Sequence, residues 1–67
     1  MNIKELRSIM AKFGETNSDL ATLLNISEAS VSAKINERNT EFKQGEIAQI
    51  IEHYKLSSEQ IKLIFFN

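Results

Sequence analysis

The chain has 67 residues, enough for one domain and no more. It has no cysteine and a single histidine, His53, which excludes disulfide staples, thiolate metal sites and a zinc site built from its own histidines. Its net charge of −1 lacks the basic surplus that most DNA-binding domains set against phosphate.

Nothing approaches the roughly 20 apolar residues of a membrane span. The opening MNIKELRSIMAKFG alternates charged and apolar residues, unlike the apolar run of a signal peptide. A cytoplasmic protein without a membrane partner is expected. Apolar residues make up 42%, proline is absent and Gly14 and Gly45 are the only glycines, a mix that favours helices joined by short turns. The charge is uneven. Residues 1–13 carry Lys4, Arg7 and Lys12 against Glu5, whereas residues 28–43 balance Lys34, Arg38 and Lys43 against Glu28, Glu37 and Glu41.

Asn2 is placed to cap a first helix, with Glu5 reaching back as in a capping box. Ile3, Leu6, Ile9, Met10 and Phe13 recur at helical spacing, and Gly14 ends the run, so helix 1 is expected at about 3–13. Thr16 starts a second helix at about 17–24, with Asp19 in its first turn and Leu20, Ala21, Leu23 and Leu24 inside. Asn25-Ile26-Ser27 is a break in which Asn25 suits a positive φ. Ser27 caps a third helix whose first residue is Glu28. Val31 and Ile35 point one way, and the rest of its circumference is polar or small.

Asn39-Thr40-Glu41 reads as a loop, with Phe42 as a plug over the core. Glu46 to Tyr54 carries Ile47, Ile50, Ile51 and Tyr54 at helical spacing, which makes helix 4. Ser57 with Gln60 forms another capping box, followed by Ile61, Ile64 and Phe65 in helix 5. The expected fold is all-α, five short helices around one core in a single domain spanning 1–67. Within it, Asn17 to Asn36 is helix, short turn, polar helix. Ala21 is small enough for a close crossing, and Ile26, Val31 and Ile35 hold the second helix of the pair inward.

These residues resemble the helix-turn-helix of the phage repressor and Cro group, the lambda-repressor-like domain of the xenobiotic-response-element-like family. The resemblance runs along nearly the whole chain. NSDLATLLNISEASVSAKINE is similar to the two motif helices, EFKQGEIAQIIEHYKLSSEQI to the fourth and fifth, and the ending IKLIFFN to short phage-type regulators. Asn25 stands where glycine is commonest, Lys34 where an apolar residue is frequent, and Glu37 where many relatives have a small residue.

The resemblance implies sequence-specific binding of double-stranded, palindromic operator DNA by a homodimer, through the major groove. Asn17 matches a phosphate-contacting position at the start of helix 2. Glu28, Ala29, Ser32 and Ala33 match the outward positions nearest base edges, with Ser27, Ser30 and Lys34 flanking them. Asn36 and Arg38 match sugar-phosphate contacts after the helix, and Lys43 a loop position near the minor groove. The chemistry suits these places: Ala29 and Ala33 can meet thymine methyls, Ser32 can donate or accept, and Glu28 can accept from the cytosine amino group. Each residue also has a plainer role. Ser27 is a cap, Glu28 a favourable first-turn acid, and Lys34, Arg38 and Lys43 solvated charges.

Leu56, Ile61, Ile64, Phe65 and Phe66 are the candidate dimer contact. Adjacent helical residues point about 100° apart, so one of the two phenylalanines caps the domain while the other is exposed, unless both fold back over helix 1. His53 near the end of helix 4 is read as a partner of the helix dipole, because it has no second histidine or cysteine to work with. No enzymatic activity, cofactor, metal or small-molecule ligand is expected. With no second domain, control would come from protein concentration or a partner. The alternative from another class is a protein-interaction module that binds another regulator or a polymerase subunit. The two readings part on whether Asn17, Lys34, Arg38 and Lys43 line one face or Glu28, Glu37 and Glu41 dominate it. A third takes the chain as the DNA-binding part of a longer protein.

Overall fold

Each helix begins where some group can take up the free N–H donors of a first turn. The computed structural model describes residues 1–66, so Asn67, the last residue of the expected domain span, lies outside the described residues. Five α-helices follow one another: α1 Ile3–Lys12, α2 Asn17–Leu24, α3 Glu28–Ile35, α4 Gln44–Tyr54 and α5 Ser58–Phe65, with no strand among the described residues.

The caps are those expected, with one substitution. Ser27 Oγ accepts the Ser30 N–H at 3.0 Å. Ser57 and Gln60 make both halves of their box, at 3.1 and 2.8 Å. The Asp19 carboxylate accepts the Thr16 N–H at 2.8 Å. On α1 only half the box forms, Asn2 Oδ1 accepting the Glu5 N–H at 3.1 Å. The Asn2 N–H instead donates to the Ile64 carbonyl at 2.8 Å, which ties the start of the chain to α5.

Two boundaries differ from expectation. The first helix stops at Lys12, and Phe13 is its C-cap, 51% exposed, with its ring edge-on to Tyr54 at 5.0 Å. Helix α4 starts at Gln44, two residues earlier than expected, because Glu46 is the third residue of its first turn and caps it: the carboxylate accepts the Lys43 N–H at 2.9 Å.

One core joins all five helices. Leu6, Ile9 and Met10 come from α1, Leu20, Ala21 and Leu24 from α2, Val31 and Ile35 from α3, Ile50 and Tyr54 from α4, and Ile64 from α5; Phe42 and Leu56 seal it from the connections. Burial of each large aliphatic side chain contributes about 1.5–3 kcal/mol before entropy is counted. Helices α2 and α3 form the helix-turn-helix. Asn25 takes φ 57°, the left-handed conformation expected of it, and buried Ala21 leaves room for the close crossing.

Candidate nucleic-acid interface

Val31 and Ile35, both fully buried, fix which side of α3 faces the core. The opposite side begins at the turn, where Ser27, Glu28 and Ala29 are exposed, and continues through half-buried Ser30, Ser32 and Ala33. A shallow trough between the two motif helices is lined by Ser18, Thr22, Asn25, Ser27 and Glu28. Asn17 is half-buried at the start of α2, and Asn36, Arg38 and Lys43 are exposed beyond α3.

Hydroxyl and amide groups along this strip are already partly engaged. Ser27 Oγ donates to Ser30 Oγ at 3.0 Å, which leaves the Ser30 proton free to point outward. Asn36 Nδ2 donates to the Ser32 carbonyl at 2.9 Å and approaches Ser32 Oγ at 3.4 Å. The amide donor of Asn36 thus closes the end of α3, and its carbonyl oxygen is what it offers outward.

Lys34 is not on this face. It is 8% exposed, and its ammonium donates to both carboxylate oxygens of Glu46, at 2.7 and 2.9 Å. The physical reason is periodicity. Residues three and four after Val31 share its side of the helix, so Lys34 lies inward beside Ile35. Burial works against the charged form of Glu46. The hydrogen bonds from Lys34 and from the Lys43 backbone, with the positive charges of both lysines, outweigh it and hold the carboxyl below its ordinary range.

The start of α2 is fastened separately. Glu15, just before the cap, accepts the Tyr54 hydroxyl at 2.8 Å and lies 2.9 and 3.0 Å from His53 Nε2. A carboxylate only accepts, so Nε2 carries a proton there. His53 stands in the last turn of α4, where the helix dipole was expected to hold it, and it also pairs with the Glu15 side chain ahead of α2. Burial, then the hydrogen bond to Glu15 and the charges of Glu15 and Asp19, push the Tyr54 phenol above its usual value.

Arg7 had no expected part, yet it is exposed and lines, with Met10, Ala11, Glu15 and Thr16, a trough that ends at Asn17. Its place on the outer stripe of α1 was readable, but the approach of that stripe to α2 depends on how the helices pack. Among the described residues neither Arg38 nor Lys43 has an ion-pair partner. Glu37 lies 3.6 Å from the Met1 ammonium, and both line a cleft with Glu41, Phe42, Ile47 and Phe65, separate from the trough beside Glu28.

The expected dimer contact is corrected in two places. Leu56 and Ile64 belong to the core, at 9% and 0% exposure. Leu56 is turned in by the connection after α4, where its N–H donates to the Ile51 carbonyl at 3.1 Å, and Ile64 lies on the 61, 64, 65 side that α5 turns inward. Ile61 and Phe65 are half-buried against that core, and Phe66 is 70% exposed. Leu63, which was not among the expected contacts, is exposed beside Phe66, with Glu59 and Lys62 at the edge of the patch.

Among the described residues no helix is long and apolar enough to cross a membrane. Neither a curated protein sequence nor a solved structure matches the chain. A family model described as "Protein of unknown function (DUF739)" matches residues 3–67, nearly the full length, and the protein belongs to that family.

Proposed function

We propose that this protein is a sequence-specific DNA-binding transcriptional regulator of the lambda-repressor-like type, working as a homodimer on a palindromic operator. The observation that carries the reading is the packing of α3. Its inner side is fully committed, and the mostly short side chains of Ser27, Glu28, Ala29, Ser30, Ser32 and Ala33 lie on the outward side. A helix that enters a major groove needs small and short polar groups near the bases. Ala29 and Ala33 meet thymine methyls, Ser32 donates to an acceptor edge, and Glu28 accepts from cytosine. With Lys34 inside, no basic side chain remains on α3 to read guanine. Arg7, Asn17, Arg38 and Lys43 supply the phosphate contacts around this strip.

One copy measures 28 × 25 × 21 Å, so two copies side by side suit recognition helices about 34 Å apart. Phe66 and Leu63, with parts of Ile61 and Phe65, form the contact between them. Selection of bound fragments from a random duplex pool at low salt, repeated at higher salt, tests the reading. Enrichment of one two-fold-symmetric site whose affinity falls steeply with salt is expected. A pool that stays random sinks it.

A specific observation favours the second reading, a protein-interaction module. From Glu28 to Lys43 the exposed charges are three carboxylates, Glu28, Glu37 and Glu41, against two cations, Arg38 and Lys43. The grouping of Glu37 and Glu41 at the Met1 cleft, away from Glu28, keeps DNA ahead.

A further inference from the structure

Lys34 is turned inward, yet its ion pair closes a ring of chain around the segment that carries Arg38 and Lys43. Lys34 and Glu46 stand 12 residues apart. Between them the backbone leaves α3 through two left-handed residues, Glu37 at φ 53° and Asn39 at φ 59°, one on each side of Arg38. Asparagine tolerates that region, whereas a glutamate avoids it, so Glu37 is the residue whose surroundings must hold it there.

The bonds inside the kink are short-range. The Glu37 N–H donates to the Lys34 carbonyl at 3.2 Å, the Arg38 N–H to that of Ala33 at 2.9 Å and the Asn39 N–H to that of Glu37 at 3.0 Å. Residues 36–41 are all exposed, so core packing does not restrain them until Phe42. Besides the Met1 ammonium near Glu37, the tie that spans the loop is Glu46. Its Oε1 holds Lys34 and also accepts the Lys43 N–H, so one carboxylate joins the last turn of α3 to the first turn of α4.

We propose that Lys34 and Glu46 are positioning residues whose ion pair holds the kinked 36–43 segment against α3 and so sets where Arg38 stands relative to the outward strip of that helix. The inference rests on the DNA reading: Arg38 on a phosphate and Ser32 and Ala33 on base edges address one ligand, and a fixed spacing lets both engage together. Well-packed apolar residues often replace a buried ion pair without loss of stability. The contribution of this pair is geometry.

The test is the double variant Lys34→Met/Glu46→Gln. Methionine keeps the volume of the lysine stem, glutamine keeps an acceptor for the Lys43 N–H, and no buried charge is left alone. In the free protein, amide hydrogen exchange at Arg38 and Asn39 should quicken roughly tenfold while Leu20 and Val31 keep their protection. Against the selected operator and an unrelated duplex at one salt concentration, the affinity ratio should fall roughly tenfold, the scale of one lost base-pair contact, with non-specific affinity unchanged. Lys34→Arg, which keeps a cation for Glu46, should leave both measurements near those of the parent.

Unchanged exchange in the folded double variant overturns the proposal whether or not the protein binds DNA. Lost protection with unchanged discrimination overturns the link to reading, and failure of the variant to fold overturns the claim that the pair serves geometry. Wild-type protein that selects no duplex removes the DNA reading, and with it that link, before any variant is made. Exchange then still decides whether the pair holds the loop.

Discussion

The two ends of α4 do the same job by different chemistry. At its first turn, Glu46 grips Lys34 and so the exit of α3; at its last turn, His53 and Tyr54 grip Glu15 and so the entrance of α2. The helix-turn-helix is thus fastened at both ends to one helix behind it. The first clamp is nearly dry, its side chains 10% and 12% exposed. The second is more open to water at His53 and Glu15, 34% and 24% exposed, with only the Tyr54 ring sunk in the core. A charge pair withdrawn from solvent is costly to break from one side, whereas a wet one is nearly replaceable. The α3 clamp should therefore be the brittle one.

The largest expected effect breaks that clamp. Glu46→Ala strands the Lys34 ammonium and removes the cap from the Lys43 N–H, and should destabilise the fold by about 3–5 kcal/mol in urea denaturation. A loss below about 1 kcal/mol would mean that Lys34 reaches solvent easily and the two clamps do not differ. The same carboxylate gives a pH test. Its pKa is depressed in the folded protein, so its stabilisation is complete above the ordinary value near 4.5 and drains away as pH falls below it. The acid limb of a stability profile should flatten in the Lys34→Met/Glu46→Gln variant.

Both clamps lie beyond what local spacing reveals, and this marks where the sequence was readable. Helix starts were legible at Ser27, Ser57 and Thr16 because a cap and its partner lie within three residues of each other. The start of α4 is hidden in the sequence because Lys43 is no capping type and Gly45 looks like a breaker, although Glu46 caps from inside. The inward place of Lys34 was available from its distance to Val31, but a lysine is so seldom buried that only the position of Glu46, set by the packing of α4 on α3, makes it affordable. Ile64 is hard to place for the converse reason. A short apolar helix does not say which of its faces meets the core until α1 is in place, and here the Asn2 N–H on the Ile64 carbonyl shows how closely the two are joined.

The second clamp should yield more gently. Tyr54→Phe keeps the ring in the core and its edge-on contact with Phe13, and removes only the hydroxyl bond to Glu15. A loss of about 1.5 kcal/mol is expected, since the acceptor is charged but can turn to water. The chain has one tyrosine, so phenolate absorbance reports this group alone. Its pKa is raised in the folded state, which means that its stabilisation is whole below the ordinary value near 10 and is lost as pH climbs past it. Phenolate should appear together with unfolding. Ionisation that clearly precedes the loss of helical circular dichroism would show that the hydroxyl is not held.

The smallest effect separates the two partners of Glu15. His53→Gln leaves an amide donor near the carboxylate and keeps the Tyr54 bond, so the change in stability should stay under about 0.5 kcal/mol, the usual range for a pair open to solvent. On the DNA reading, affinity for the operator should not move either, because Asn17 and the first turn of α2 remain anchored through Tyr54. If His53→Gln instead cost as much as Glu46→Ala, the imidazole would be a structural member and not a wet partner. The contrast between the two ends of α4 would then disappear. If stability held while affinity for the selected operator fell severalfold, the entrance of α2 would be the more sensitive end for reading, and Arg38 and its loop the less important.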